Sequence, residues 1–504
     1  MDSLEITIRT TGGVAKYPAK AHARRVAEKT GLSEGIIGMQ GTNTRFFSNS
    51  DQPQPFRQDR YFYYMSGCDE PSCFLVYDIG KDILTLYLPP VDYTRFYYDG
   101  RGSTIDEAME KYDIDRAAYQ VSARTWWSFQ KKFVLPGTKV LAADGPSVDD
   151  ILRRALDACR SVKDADEIEL IRKANQISSI AHKDVLLQLH NCKSEAEAEA
   201  IYMRTCIARR AKAQAYGPIF GAGSNASQLH YIENVASFGD SQLLLVDAGC
   251  EWQRYASDVT RTIPINRKNP GEWPSKEAKQ VYDAVEEIQE KCIKLMRVGT
   301  KFSFVALTAQ HLAVDALLSL GILKGTHDEI WKAETNRAFF PHGLGHHLGL
   351  EVHDVSPPLR LLSQEQERKE SQKQERWWRR QQRKQQKHEF IPPFDWGDHG
   401  RPYHARRRRT NLLTHISVPG EPAMEEGNVI TIEPGLYFNE VVLRKFFLSK
   451  DKQRKHIDAD VLKRFMPVGG VRIEDDILIT SEGPVNLTTA PKGKEMLEIL
   501  RKQG

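Results

Sequence analysis

Apolar side chains recur along this chain in two rhythms. From about Ala19 to Lys29 the spacing is helical and stops at Gly31, a residue suited to a helix C-cap. Short β-rich runs follow: CFLVYD from Cys73, DILTLYLP from Asp82 and KVLAAD from Lys139, with the helical patch IDEAMEKY from Ile105 among them. This mixed order predicts an αβ domain over 1–160, ending near Ser161-Val-Lys-Asp. Beyond it Ile168, Ile171, Ala174, Ile177, Ala181 and Val185 recur every three to four positions, an amphipathic helix. Further helices are predicted over Ser194–Ala213 and Lys276–Met296. The rhythm then changes to that of strands in LLLVDAG, YASDVTRTIPI, NVITIEPGLYF and GGVRIEDDILIT. The second half, 161–504, therefore reads as an α+β domain with an antiparallel or mixed sheet.

One stretch obeys neither rhythm. Residues 364–410 are rich in Gln, Arg, Lys and Glu and nearly free of aliphatic side chains, so they bury little apolar area. The expectation is a disordered basic insert. Trp377-Trp378 beside arginines allow an interaction segment instead, and a third reading is that the stretch is absent from the mature protein. It also distorts the charge balance. With fourteen Lys/Arg against seven Asp/Glu between Gln364 and Arg409, it leaves the rest of the chain at about −3, although the whole carries +4. Net charge thus gives no argument for nucleic-acid binding. No uninterrupted apolar run of about 18 residues is present, so no membrane span is expected. The start, MDSLEITIRT, lacks a basic segment followed by an apolar one, and the seven dispersed cysteines read as reduced thiols. Both favour a cytoplasmic location.

The strand phrases carry chemistry. Asp247 and Asp258 lie eleven positions apart around GCEWQR, a predicted turn, so a hairpin would aim both carboxylates at one face. Carboxylates in strongly apolar strands are costly unless they meet cations. PHGLGHHLGLEVHD holds His342, His346, His347 and His353. His346 and His347 face opposite sides of an extended chain, and spacing does not choose between them. Glu433 stands before Pro434-Gly435, Glu474 follows Val471-Arg472-Ile473, and His230 follows the glycine-rich FGAGSNAS as a candidate oxyanion donor. Arg472 could hold a carboxylate ionised or meet one on a substrate. Four carboxylates and an imidazole form a hard, oxygen-rich donor set that suits Mn²⁺ or Co²⁺ better than structural zinc. Two such ions can share a hydroxide nucleophile, which points to a hydrolase. By contrast, Gly31-Leu-Ser33-Glu-Gly35 follows a helix rather than a strand, and Gly221-Ala-Gly223 lacks a βαβ setting. Neither is read as a site.

These phrases, in this order, resemble the pita-bread metallopeptidases that cleave Xaa-Pro bonds, aminopeptidase P and prolidase. FRQDRYFYYMSG at Phe56–Gly67 resembles the N-terminal domain of their eukaryotic, especially fungal, members. The resemblance implies a creatinase-like αβ domain followed by a pita-bread catalytic domain. It implies two divalent ions, Mn²⁺ by family habit, held by Asp247, Asp258, His346, Glu433 and Glu474, with Asp258 and Glu474 bridging. It selects His346 over His347. It makes His230 and His353 the histidines that stabilise the tetrahedral intermediate and move protons. His342 and Arg472 become substrate-side residues, and Glu433 the proton carrier to the leaving prolyl nitrogen. Homodimers are common in the family. The departure is the 80-position span from His353 to Glu433, much longer than in the family; if it loops out, the site survives. The expected activity is removal of the first residue from peptides with proline second, with a strict Xaa-Pro dipeptidase as the alternative. Methionine aminopeptidase lacks the large N-terminal domain. A catalytically silent binding module or a metal-free, creatinase-like hydrolase would have lost ligands that this chain keeps.

Overall fold

The computed structural model describes residues 16–120 apart from 92 and 95, together with 148–357 and 421–502. KVLAAD and the basic stretch 364–410 lie outside these residues. The chain divides into two compact units, Met1–Arg160 and Ser161–Gly504.

In the first unit the helix Ala19–Thr30 ends where expected, with Gly31 left-handed at φ 74° and its N–H returned to the Glu28 carbonyl. Four strands form one sheet in the order β1 (Ile36–Gln40), β2 (Phe74–Asp78), β3 (Ile83–Leu88) and β4 (Arg116–Tyr119). The first three are antiparallel, and β4 adds parallel to β3. The helix Arg60–Ser66 opens on Asp59, whose side chain accepts from the Phe62 N–H.

The second unit begins with the predicted amphipathic helix, Ala165–Gln188, set by a reciprocal Asp164/Glu167 cap. Ile171, Ala174, Ile177, Ala181 and Val185 are its buried face. The next helix is shorter than its pattern. It runs Glu195–Ala208, because Arg210 turns left-handed at φ 66° and the Ala211 N–H closes back on the Cys206 carbonyl. Helices Lys276–Leu295 and Phe302–Ser319 follow. Among the described residues Phe302–Ser319 alone has the length and apolar content of a membrane span, but Val305, Ala309, Ala313, Val314 and Leu317 on it belong to the core.

The strands are antiparallel throughout this unit. β5 (Ile219–Ala222), β6 (Leu243–Asp247) and β9 (Thr260–Pro264) form one sheet, with a small hairpin of β7 (Glu251–Trp252) and β8 (Tyr255–Ala256) between β6 and β9. The hairpin turns on Gln253 and Arg254, both at positive φ. β10 (Val429–Ile432) pairs with β13 (Asp475–Thr480), which pairs with β14 (Gly483–Asn486), while β11 (Gly435–Tyr437) pairs with β12 (Gly470–Arg472).

Each long strand phrase is therefore broken, and the breaks fall at the acidic residues. Pro434 has no N–H to donate, so the ladder stops at Glu433. After Arg472 the chain leaves β11; Glu474 bridges Thr260 instead, its N–H 3.1 Å from the Thr260 carbonyl, and only then does the strand join β10. Ile177, Val246, Ile263, Val285, Val314, Ile432, Val471 and Ile477 pack together behind these breaks, so the carboxylates stand on a rigid floor.

Candidate metal centre

Asp247 closes β6 and sits opposite Thr260 of β9, so the hairpin brings Asp258 back beside it. Both are buried, as is Glu474. Donor atoms of Asp258, His346 and Glu474 lie within 4.8 Å of one another. His346 Nε2 is 3.3 Å from Asp258 Oδ2 and 3.7 Å from Glu433 Oε1. The five expected ligand residues thus come together from β6, the turn before β9, the chain beside β10, and the breaks at Glu433 and Glu474.

The two adjacent histidines separate as alternation requires. His346–Leu348 runs beside β10, with the Thr431 N–H bonded to the His346 carbonyl and the Leu348 N–H to the Val429 carbonyl. His346 Nδ1 lies 3.0 Å from the His347 carbonyl oxygen. A carbonyl only accepts, so Nδ1 carries a proton and Nε2 is the ring nitrogen turned to the carboxylates, free to ligate a metal once its own proton leaves. His347 points the other way, and burial pushes its imidazole down to about 3. Gly345 permits this close approach: a Cβ there would stand 1.9 Å from the Thr431 carbonyl oxygen.

Charge in the cluster is strongly coupled. Burial raises Asp247 despite Arg472 beside it, and burial with the neighbouring carboxylates raises Glu474 well above the usual range. Burial pushes Glu433 up to about 7. Burial opposes charge on His346 too, but the Asp258 and Glu433 carboxylates outweigh it and hold the imidazolium up at about 9. One Glu474 oxygen, Oε1, is buried without a hydrogen-bond partner, while Oε2 accepts from Thr260 Oγ1 at 2.7 Å. An acidic cluster holding an orphaned carboxylate oxygen and an imidazole whose Nε2 faces the carboxylates has the donor set of a hard divalent cation site, the ion taking the place of the imidazolium proton.

Arg472 is buried, not a surface ion pair. Its carboxylate partner is Asp247, at 2.6 Å, and it also donates to Tyr437 Oη at 2.9 Å and Thr260 Oγ1 at 3.2 Å. Tyr437 Oη is 2.8 Å from His342 Nε2, so Arg472, Tyr437 and His342 form one polar chain along the edge of the cluster. His353 stacks edge-on against His346, ring centroids 4.2 Å apart. Desolvation and the His346 charge lower its pKa, and the charge of His230 is felt there as well. Sequence reading missed five partners. Tyr216 Oη bridges Asp247 Oδ1 and Asp258 Oδ1, 2.6 Å from each. Asp476 accepts the Asp258 N–H, and Thr260 joins Glu474 to Arg472. Lys163 meets Asp354 at 3.1 Å in a fully buried pair, anchoring the loop behind His353. The fifth, Tyr437, was within reach, since it lies in the same TIEPGLY phrase as Glu433.

Residues 169–376 and 398–481 match metallopeptidase family M24, and residues 20–126 match the N-terminal domain of aminopeptidase P. Residues 377–397, inside the basic stretch, fall between the two matched parts. A probable Xaa-Pro aminopeptidase of Pyrenophora teres f. teres is 44% identical over 97% of this chain, which spans 51% of that protein's length. One of Pyrenophora tritici-repentis is 44% identical, with 97% and 72% covered. One of Aspergillus clavatus is 42% identical, with 100% and 96% covered. Among solved structures, the low-pH form of aminopeptidase P from E. coli superposes with a TM-score of 0.69 at 25% identity, covering 97% of this chain and 99% of that one.

Proposed function

The chain belongs to metallopeptidase family M24, and from that premise we propose that it is a metallo-exopeptidase removing the first residue from peptides whose second residue is proline. The observation that carries the proposal is the convergence of Asp247, Asp258, His346, Glu433 and Glu474, with a Glu474 oxygen left unsatisfied, in a chain that resembles named Xaa-Pro aminopeptidases over nearly its full length. These five residues would hold two divalent ions. The oxygen-rich set favours Mn²⁺. When bound, the ions supply a Lewis acid and an activated water.

The protein groups divide the remaining work. Asp247, held by Arg472 and Tyr216, stays oriented at the end where a substrate's free amino terminus would meet negative charge. His353, which packs edge-on against His346, and His230, whose charge is felt at His353, would donate an imidazole N–H to the carbonyl oxygen as charge develops on it. Glu433, at the more open side of the cluster, takes a proton from the attacking water and delivers it to the prolyl nitrogen. That nitrogen carries no hydrogen, so a site for it needs no acceptor for a scissile N–H. The His342–Tyr437–Arg472 chain orients the substrate beyond the scissile bond.

All seven cysteines are free and buried, which supports a reducing, cytoplasmic setting. Pairing into homodimers is part of the proposal and is read by light scattering. The deciding assay measures release of the first amino acid from Xaa-Pro-Yaa tripeptides and Xaa-Pro dipeptides side by side, with Mn²⁺ and with a chelator. Tripeptide cleavage supports the aminopeptidase. Cleavage of the dipeptide alone makes the protein a prolidase. No cleavage of either overturns the proposal.

A further inference from the structure

Glu195 is fully buried and has no part in the mechanism above. It opens the helix Glu195–Ala208, and its carboxylate accepts four hydrogen bonds. Oε1 takes the Ala222 N–H at 2.7 Å and Asn225 Nδ2 at 2.9 Å. Oε2 takes Tyr231 Oη and the Ala236 N–H, both at 2.8 Å. Ala222 and Asn225 precede the loop 228–237, while Tyr231 and Ala236 lie within it, and that loop carries His230.

The same segment is tied elsewhere. The Glu195 N–H bonds the Ala236 carbonyl at 3.0 Å, and Ser194 bridges Ser237. Asn234, left-handed at φ 52°, accepts the Phe220 N–H and donates to the Pro218 carbonyl, both at 2.8 Å. Tyr231, Asn234 and Ala236 are thus pinned inward, while His230 faces outward between Leu229 and Tyr231. Among the described residues none forms a hydrogen bond with the His230 ring, so the fixed groups nearest to it in the chain are those of Tyr231.

We propose that Glu195 is a positioning residue for the peptidase reaction, a carboxylate that acts through Tyr231 to hold His230 at the substrate carbonyl. The inference rests on the Xaa-Pro peptidase reading. The carboxylate serves as an acceptor in all four bonds, because every group that meets it is placed as a donor. A Gln of the same shape brings an NH₂ to one end. Whichever way it turns, a backbone N–H, of Ala222 or of Ala236, then faces another N–H. The near-isosteric Glu195→Gln change is therefore the disruptive one.

The test is a double-mutant cycle in the full chain with Mn²⁺. Wild type, E195Q, Y231F, H230A, E195Q/H230A and Y231F/H230A are compared for kcat and KM on an Xaa-Pro-Yaa peptide, for bound metal, and for amide hydrogen exchange at 228–237. E195Q should lower kcat by about 10- to 100-fold, the scale of an approximately 1 Å misplacement, with metal content unchanged. Y231F should lower it less. In the H230A background either change should alter kcat less than about twofold, because the group through which it acts is gone. Exchange should rise at 228–237 in E195Q while β6 and β10 keep their protection. Full multiplication of the effects in the H230A background overturns the proposal, as does wild-type kcat in E195Q and Y231F. If E195Q does not fold, Y231F and its cycle decide alone. If wild type itself cleaves nothing, the peptidase reading fails instead, and the exchange comparison still shows whether Glu195 holds the loop.

Discussion

Replacing Gly249 with Ala adds one methyl group between two of the proposed ligands. A Cβ at 249 would lie 1.8 Å from the Ser257 carbonyl oxygen, 2.7 Å from its carbon and 3.2 Å from Tyr216 Cε1. Ordinary contact begins near 3.4 Å, so the Ser257 carbonyl must retreat by about 1.5 Å. It is backbone and cannot rotate away. The Ser257 N–H and Oγ both bond the Cys250 carbonyl at 3.1 Å, and Asp258 is the next residue. The displacement therefore reaches Asp258 on one side and, through Tyr216, Asp247 on the other. Overpacking of this kind costs about 1–3 kcal/mol in stability. Displacement by about 1 Å costs on the order of 100-fold in rate. Metal bound after dialysis, kcat and the denaturant midpoint should all fall in G249A, metal content most of all. Wild-type metal stoichiometry and a kcat within about twofold of wild type would refute the reasoning, since the hairpin would then not be what sets the spacing of the two aspartates.

Arg472→Met removes the buried cation beside Asp247; the metal-free protein should lose about 3–5 kcal/mol, and added divalent ion should restore part of it. An unmoved denaturant midpoint in the metal-free state would count against the pairing. His353→Ala should lower kcat by about 10²–10⁴-fold with metal content intact, and loss of metal along with activity would instead place His353 among the ligands. Burial raises Glu433 to about 7, and the carboxylates hold His346 at about 9 against burial, so both lie above their unfolded values. Their contribution to metal-free stability is complete below those unfolded values and is lost as pH rises through about 7 and then about 9. The rise in Tm on adding Mn²⁺ should accordingly grow from pH 6 to pH 9, and calorimetry showing a constant or shrinking rise would contradict this.

The strand phrases were legible because apolar runs ending in turn residues leave few alternatives, and the acidic residues stood out against them. What the pattern concealed is that NVITIEPGLYF and GGVRIEDDILIT are not single strands. Hydrophobicity continues through Glu433 and Glu474 while the hydrogen-bond partner changes there, and only Pro434 hints at the first break. The helix from Ser194 also looked longer than it is, because Ala211 and Ala213 prolong the rhythm after Arg210 has turned the chain. Side chains that act across the fold left no local sign. Tyr216 lies 31 positions from Asp247, Lys163 lies 191 from Asp354, and Glu195 lies 36 from Tyr231. Nothing in the neighbourhood of any of them marks a partner at that distance.

The bridge between Thr260 and Glu474 sets an order in time. Asp258 leaves the ribosome 216 residues before Glu474. At about 5–20 residues per second that is an interval of roughly 10–40 s. Throughout it β9 lacks the neighbour that later covers its far end, and Asp247 lacks Arg472. A growing chain therefore carries an unfinished acidic pair beside uncovered apolar strands, and the late segment from Gly470 to Asp475 completes the edge, the counter-charge and the last of the proposed ligands in one stroke.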